Sequence, residues 1–157
     1  MSIWFSKVAE EYGWMGNMAP FKIKYDGKEW LTSEALFQSM RYEDDSIKEI
    51  IRLEKSPMAA KMKAKKFRVK MVVVPMSEKD VENMRICVRL KIEQHSKLKD
   101  ALIATGNETI YENIGKRNGE RHKFWGAKKM SETEGDGFNV MGQILMDLRD
   151  EFLLKMK

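Results

Sequence analysis

The stretch GKEWLTSEALFQSMRY, Gly27 to Tyr42, sets one carboxylate, Glu34, behind the hydroxyls of Thr32 and Ser33 and ahead of an apolar run. Two chemistries fit such a carboxylate. An acid in the first turn of a helix complements the helix dipole, which is worth about 0.3–1 kcal/mol. A carboxylate that the fold holds in place can instead stabilise positive charge or move a proton during a reaction. Gln38 lies four residues on and shares the helix face of Glu34, so its amide can steady Glu34 or touch a substrate. Two basic segments add possible phosphate chemistry. KMKAKKFRVK, Lys61 to Lys70, carries six cations and no acid, and GKRNGERHKFWG carries Lys116, Arg117, Arg121 and Lys123 with one acid, Glu120. Each reads either as a solvated surface or as a phosphate-binding one.

Composition narrows the rest. The 157 residues, 43% hydrophobic and 34% charged, suit one soluble domain over 1–157 with a real core. No run of 18 apolar residues is present and the start lacks a leader pattern, so no membrane span, membrane partner or export is expected. One cysteine, Cys87, cannot form an internal disulfide, and its helical surroundings mark it as a buried thiol. One Cys and two His argue against zinc. Together these features point to a reducing, cytoplasmic setting. The net charge of +5 favours anionic partners without requiring nucleic acid. There is no phosphate loop, dinucleotide fingerprint, calcium loop or local triad, so no cofactor is expected.

These groups need elements to position them. FKIKYDGKEWLT alternates about Asp26-Gly27 and predicts a hairpin, Phe21 to Tyr25 with Glu29 to Leu31. Thr32 or Ser33 can cap a helix running to about Tyr42. Apolar spacing predicts further helices in DSIKEIIRLEK, after the Ser56-Pro57 start signal, after Ser77, from Ser96 to Gly106, and from about Asn139 to Leu154. ETIYEN reads as a short strand. RVKMVVVP reads as a strand or a buried connection, and Gly115 to Asp136 as a loop. The sum is about six helices with little β structure.

The order of several short stretches goes further. YGWMGNMAPFKIKYDGKEWLTSEALFQSMRY resembles the opening of the NADAR (YbiA-like) family, with its W-P-T-S-E-H-x-F-Q-A-x-K-F pattern. SPMAAKMKAKK resembles that family's SP-x-x-A-(K/R)-x-x-G-R helix. MRICVRLKIEQHSKLKDALIATGNETIYE, FWG and GFNVMGQILMDLR resemble its later segments in the same order. The resemblance covers about Tyr12 to Arg149. It implies a mainly α, YbiA-like orthogonal helical bundle with a small β-hairpin and a short extra strand. It also implies an N-glycosidase acting on a ribose–nitrogen bond. The substrates so implied are phosphorylated riboflavin intermediates or ADP-ribosyl adducts such as ADP-ribosylated guanine, with nucleic acid as a carrier.

Carried over residue by residue, the resemblance makes Glu34 the catalytic carboxylate and Trp125 a stacking face for base or ribose. Asn17, Asn139 and Gln38 become substrate-binding amides. By their charge, Arg41 with Lys61 or Lys63 can clamp phosphates. Asn17 and Asn139 could equally cap turns or helices. Some positions depart from the pattern. Ala35 stands where the family has His, and Arg41 where it has a Lys that could form a Schiff base, which a guanidinium cannot. His122 and Ala127 replace acids, and an aromatic aligns near Met76. His122 can still donate a proton near neutrality. The departures also admit a catalytically degenerate module that binds ADP-ribose, a nucleotide or nucleic acid, or a protein modulator that uses its aromatic start.

Overall fold

The computed structural model describes residues 1–157. In chain order its elements are β1 (Ser2–Phe5), β2 (Ile23–Tyr25), β3 (Lys28–Trp30), α1 (Ser33–Ser39), α2 (Asp45–Arg52), α3 (Pro57–Lys66), α4 (Glu78–Gln94), α5 (Ser96–Ala104), β4 (Thr109–Glu112), α6 (Glu120–Trp125), β5 (Lys128–Lys129), β6 (Gly135–Asp136) and α7 (Val140–Lys155). The chain is mainly α, with seven helices rather than six. No helix is long and apolar enough to cross a membrane. The residues group into two compact units, Asn17–His95 and a unit made of Met1–Gly16 with Ser96–Lys157.

In the Asn17–His95 unit, β2 and β3 form the expected hairpin, two residues shorter at its start and ended by Trp30. Asp26 and Gly27 both take left-handed φ, 52° and 76°, as a two-residue hairpin turn requires. Thr32 then caps α1, its Oγ1 accepting the Ala35 N–H at 3.1 Å. Every residue of α1 is buried, because α2, α3, α4 and β3 all pack against it. The helix ends at Ser39 rather than Tyr42. The Met40, Arg41 and Tyr42 amides bond back three residues, so a tighter turn carries the chain on. Ser56 and Ser77 cap α3 and α4 as their sequences predict, with Pro57 in the first turn.

RVKMVVVP is neither a strand nor buried. It opens with a 3₁₀ turn, Arg68–Lys70, and Val69 is 90% exposed. No strand lies alongside to accept its ladder. Instead the Val72 and Val73 amides donate to the Arg41 carbonyl, at 2.8 and 3.3 Å.

In the other unit, β1 pairs in parallel with β4, Ser2 opposite Thr109 through Phe5 opposite Glu112. The aromatic start thus packs inward at Ile3 and Phe5, while the Trp4 ring stacks on Tyr111 with centroids 4.1 Å apart. The stretch expected as a loop holds α6 and the β5–β6 pair. Helix α6 has six residues and no side-chain cap, so it carries little periodic signal. Helix α7 packs on β4, α5 and α6, burying Met141, Ile144, Leu145, Leu148 and Phe152 along one face.

Candidate functional site

The polar side of α1 supplies the site. Glu34, Gln38 and Arg41 recur at i, i+4 and i+7 along α1 and the turn after it, so they share a face. All three are buried, Glu34 and Gln38 at 7% exposure each. Gln38 Nε2 donates to Glu34 Oε1 at 3.2 Å, which fixes the carboxylate's rotamer. At the start of the helix, the Asn17 carbonyl accepts the Glu34 N–H at 3.2 Å. The Asn17 side chain accepts from Ser33 Oγ at 2.8 Å and donates toward Met84 Sδ at 2.8 Å. Asn17 is therefore tied to the same helix start as Glu34.

Helix α4 faces this seam. Asp80 has no exposed surface and grips Arg41 at two points, Nε to Oδ1 at 2.9 Å and Nη2 to Oδ2 at 2.8 Å. This is the side-by-side pairing for which guanidinium and carboxylate are matched. Asp80 Oδ2 also accepts the Met76 N–H at 2.8 Å. Met76 holds φ at +66°, a left-handed value uncommon for a residue with a side chain. The Arg41 guanidinium lies 4.7 Å from the centre of the Phe37 ring. Cys87, two turns along the same face of α4 from Asp80, is buried, and its Sγ approaches Met40 Sδ at 3.4 Å. Burial first, and then the charges of Glu34 and Asp80, push its thiol well above the usual range. Cys87 therefore stays protonated, unlike a thiolate nucleophile.

The expected phosphate groups divide. Lys63 pairs with Glu54 at 3.4 Å and Lys61 is half-buried on α3, whereas Lys65, Lys66, Arg68 and Lys70 are exposed. Arg41 is committed to Asp80 through two of its three nitrogens.

The remaining predicted residues lie in the other unit. Asn139 takes φ of 53° ahead of α7 and makes no side-chain cap bond. Its amide instead staples β4, Nδ2 donating to the Ile110 carbonyl at 2.8 Å and Oδ1 accepting the Glu112 N–H at 3.0 Å. Both ends of the amide thus have backbone partners, which accounts for the residue structurally. His122 and Trp125 are half-buried on α6. The Phe124 ring meets Trp125 edge-on, centroids 4.9 Å apart. Ala127, at one of the departures, is fully buried and its amide donates to the Glu112 carbonyl at 2.8 Å.

Sequence reasoning missed Asp80, Asn83 and Lys91, all buried on α4. A signal was present. Asp80, Met84, Cys87 and Lys91 recur at helical spacing, so the stripe that holds the core cysteine also holds an acid and a lysine.

Comparison with known proteins agrees with the sequence motifs. The NADAR domain model matches residues 4–153. The chain is 32% identical over 151 residues to N-glycosidase YbiA of Escherichia coli (strain K12), covering 96% of this chain and 88% of that protein. It is 27% identical over 158 residues to N-glycosidase Npun_R5314 of Nostoc punctiforme, covering 96% and 92%. It is 30% identical over 154 residues to riboflavin biosynthesis protein VVA0006 of Vibrio vulnificus, covering 95% of this chain and 38% of that longer one. The NMR structure of E. coli YbiA superposes with a TM-score of 0.80 at 31% identity, over 99% of this chain and 89% of that one. An identity of this size along nearly the whole chain, on the same fold, places the protein in the NADAR domain family.

Proposed function

We propose that this protein is an N-glycosidase that hydrolyses the ribose–nitrogen bond of an ADP-ribosyl adduct, such as ADP-ribosylated guanine in nucleic acid, or of a phosphorylated ribosylaminopyrimidine riboflavin intermediate. The observation that carries this reading is Glu34, a buried carboxylate steadied by Gln38 on a fully buried helix. An acid placed only for the helix dipole gains about 0.3–1 kcal/mol on the surface and about 2 kcal/mol at most where it is partly buried. Burying one demands compensating contacts. The names of the relatives, two of them N-glycosidases, support the same class.

In this mechanism the carbon–nitrogen bond breaks with its electron pair leaving on nitrogen, and the ribose gains oxocarbenium character. Glu34 stabilises that charge, orients the 2-hydroxyl or takes a proton from the attacking water, whose oxygen bonds to the anomeric carbon. The departing nitrogen takes up a proton, a role proposed for His122. Trp125 is proposed as a stacking face for base or ribose. Asn17 and Gln38 hold ribose or position Glu34, and Asn139 supports β4. Lys61, Lys63 and Arg41 supply phosphate contacts, and the exposed cations of Lys65–Lys70 would meet a nucleic-acid carrier. The orthogonal bundle and the single 1–157 domain belong to the same proposal, since the family match runs through both units. Incubation with ADP-ribosylated guanine DNA and with the ribosylaminopyrimidine phosphate, measuring released ADP-ribose or ribose phosphate, tests it. No release from either substrate sinks the proposal.

One observation favours a second reading, a binding module without chemistry. The position at which a family lysine could form a Schiff base holds Arg41, and that guanidinium is locked to Asp80. Saturable binding of ADP-ribose with no hydrolysis of its adducts would establish this reading instead.

A further inference from the structure

The guanidinium of Arg41 is unevenly used. Nε and Nη2 are both spent on Asp80, while Nη1 has no hydrogen bond. The buried side-chain nitrogens and oxygens without a partner are Trp30 Nε1 and Arg149 Nε alone, so Arg41 Nη1 is not sealed and reaches solvent. The residue as a whole is only 9% exposed. Arg149 is the contrast: its Nη1 is spent inside the protein on Thr105 Oγ1 and the Glu108 carbonyl, at 3.0 and 2.7 Å. Arg149 is a staple, whereas Arg41 is gripped along one edge with its other edge left open.

The grip itself is braced. Asp80 takes the Met76 N–H as well as Arg41, and its own amide donates to Ser77 Oγ at 3.3 Å. The carbonyl of Arg41 accepts from Val72 and Val73. The Phe37 ring covers the guanidinium from a further side. The open Nη1 therefore carries two N–H donors and a share of the positive charge at one fixed place, one turn beyond Gln38 and two turns beyond Glu34.

We propose that Asp80 is a positioning residue, which holds Arg41 so that Nη1 receives a phosphate or diphosphate oxygen of the ligand bound at Glu34. The inference rests on the reading of Glu34 as the ribose-facing carboxylate. A phosphate lies a few bonds from the anomeric carbon in both proposed substrate classes, and a guanidinium with one free edge suits it. Lysine at the same position would keep the charge pair with Asp80 but lose the second, directed edge.

Calorimetric titration of the wild-type protein, Arg41→Lys, Asp80→Asn and Asp80→Glu with ADP-ribose, and with adenosine as the phosphate-free probe, tests the proposal. Loss of one charge-assisted contact predicts that Arg41→Lys weakens ADP-ribose binding about 10- to 100-fold and leaves adenosine unchanged. Asp80→Asn should reproduce that selective loss and Asp80→Glu should restore part of it. Where turnover is measured, KM should rise with kcat unchanged. Arg41→Lys retains the ion pair, so it tests the proposal even where Asp80→Asn fails to fold. Unchanged ADP-ribose affinity in Arg41→Lys overturns the inference, as do equal losses for both probes or no ADP-ribose binding by the wild-type protein. Phosphate-selective binding without turnover sinks the hydrolase reading alone, and turnover with an indifferent Arg41 sinks this inference alone.

Discussion

Replacing Asp80 by Asn removes one negative charge from a side chain with no exposed surface. The carboxylate accepts three hydrogen bonds, from Arg41 Nε, Arg41 Nη2 and the Met76 N–H. An amide has a single oxygen, so it can keep the two bonds at Oδ2 only by turning its NH₂ toward the Arg41 Nε–H, donor against donor. Arg41, itself 9% exposed, is then a buried cation without its counter-charge. Breaking a buried pair in this way costs about 3–5 kcal/mol. For a chain of 157 residues that lowers Tm by roughly 6–20 °C, at about 2–4 °C per kcal/mol. Arg41→Met should cost a similar amount, since it strands the anion. The double variant Arg41→Met/Asp80→Leu should cost far less than the sum, because two packed apolar side chains replace two desolvated charges. Urea unfolding of wild type, Arg41→Met, Asp80→Leu and the double variant measures the cycle, with Asp80→Asn read beside it. Additive losses, or a single-variant loss under about 1 kcal/mol, the level of an exposed pair, would mean that Arg41 and Asp80 are not coupled as a desolvated pair.

Three other outcomes follow from the geometry. Gly142→Ala places a Cβ 2.1 Å from the Ile110 carbonyl oxygen and 2.4 Å from Asn139 Nδ2. It should therefore destabilise by about 1–3 kcal/mol or more by urea unfolding, despite a helix-propensity gain of about 1 kcal/mol. Cys87 should resist a thiol reagent at pH 8 in the native protein and react once urea unfolds it, since its thiol is buried and held protonated by burial and by the Glu34 and Asp80 charges. Glu49 is drawn down to about 2 by its hydrogen bond to Arg52 and then by Lys28. Its folded value lies below its unfolded one, so its contribution is full above about pH 4.5 and lost as pH falls toward 2. The Tm advantage of wild type over Glu49→Gln should shrink across that window, and an advantage unchanged down to pH 2 would contradict the assignment.

Legibility in the sequence tracked local chemistry. The Asp26-Gly27 turn and the Thr32, Ser56 and Ser77 caps all act through neighbours within a few residues, and each was readable. The long periodic helices α4 and α7 were readable for the same reason. Ser2–Phe5 was not, because its partner lies more than a hundred residues away at Thr109–Glu112 and four residues carry no period of their own. RVKMVVVP misled because β-branched content signals a strand only where another strand accepts it. At the site, Glu34 and Gln38 were legible as one helix face, and the structure joins them directly. Asp80 was not, because an acid three residues after a Ser cap reads as first-turn charge. Only the Arg41 guanidinium, 39 positions away, shows that it is a buried partner.

The proposed function turns on the Glu34 carboxylate. Single-turnover release of ADP-ribose from ADP-ribosylated guanine DNA, or of ribose phosphate from the ribosylaminopyrimidine phosphate, should be compared between wild type and Glu34→Gln at matched substrate saturation. Release by the wild-type protein is expected, with a fall of about 10²–10⁴-fold in the variant and the fold intact by circular dichroism. Release at an unchanged rate from a folded Glu34→Gln protein would leave Glu34 no part in the reaction.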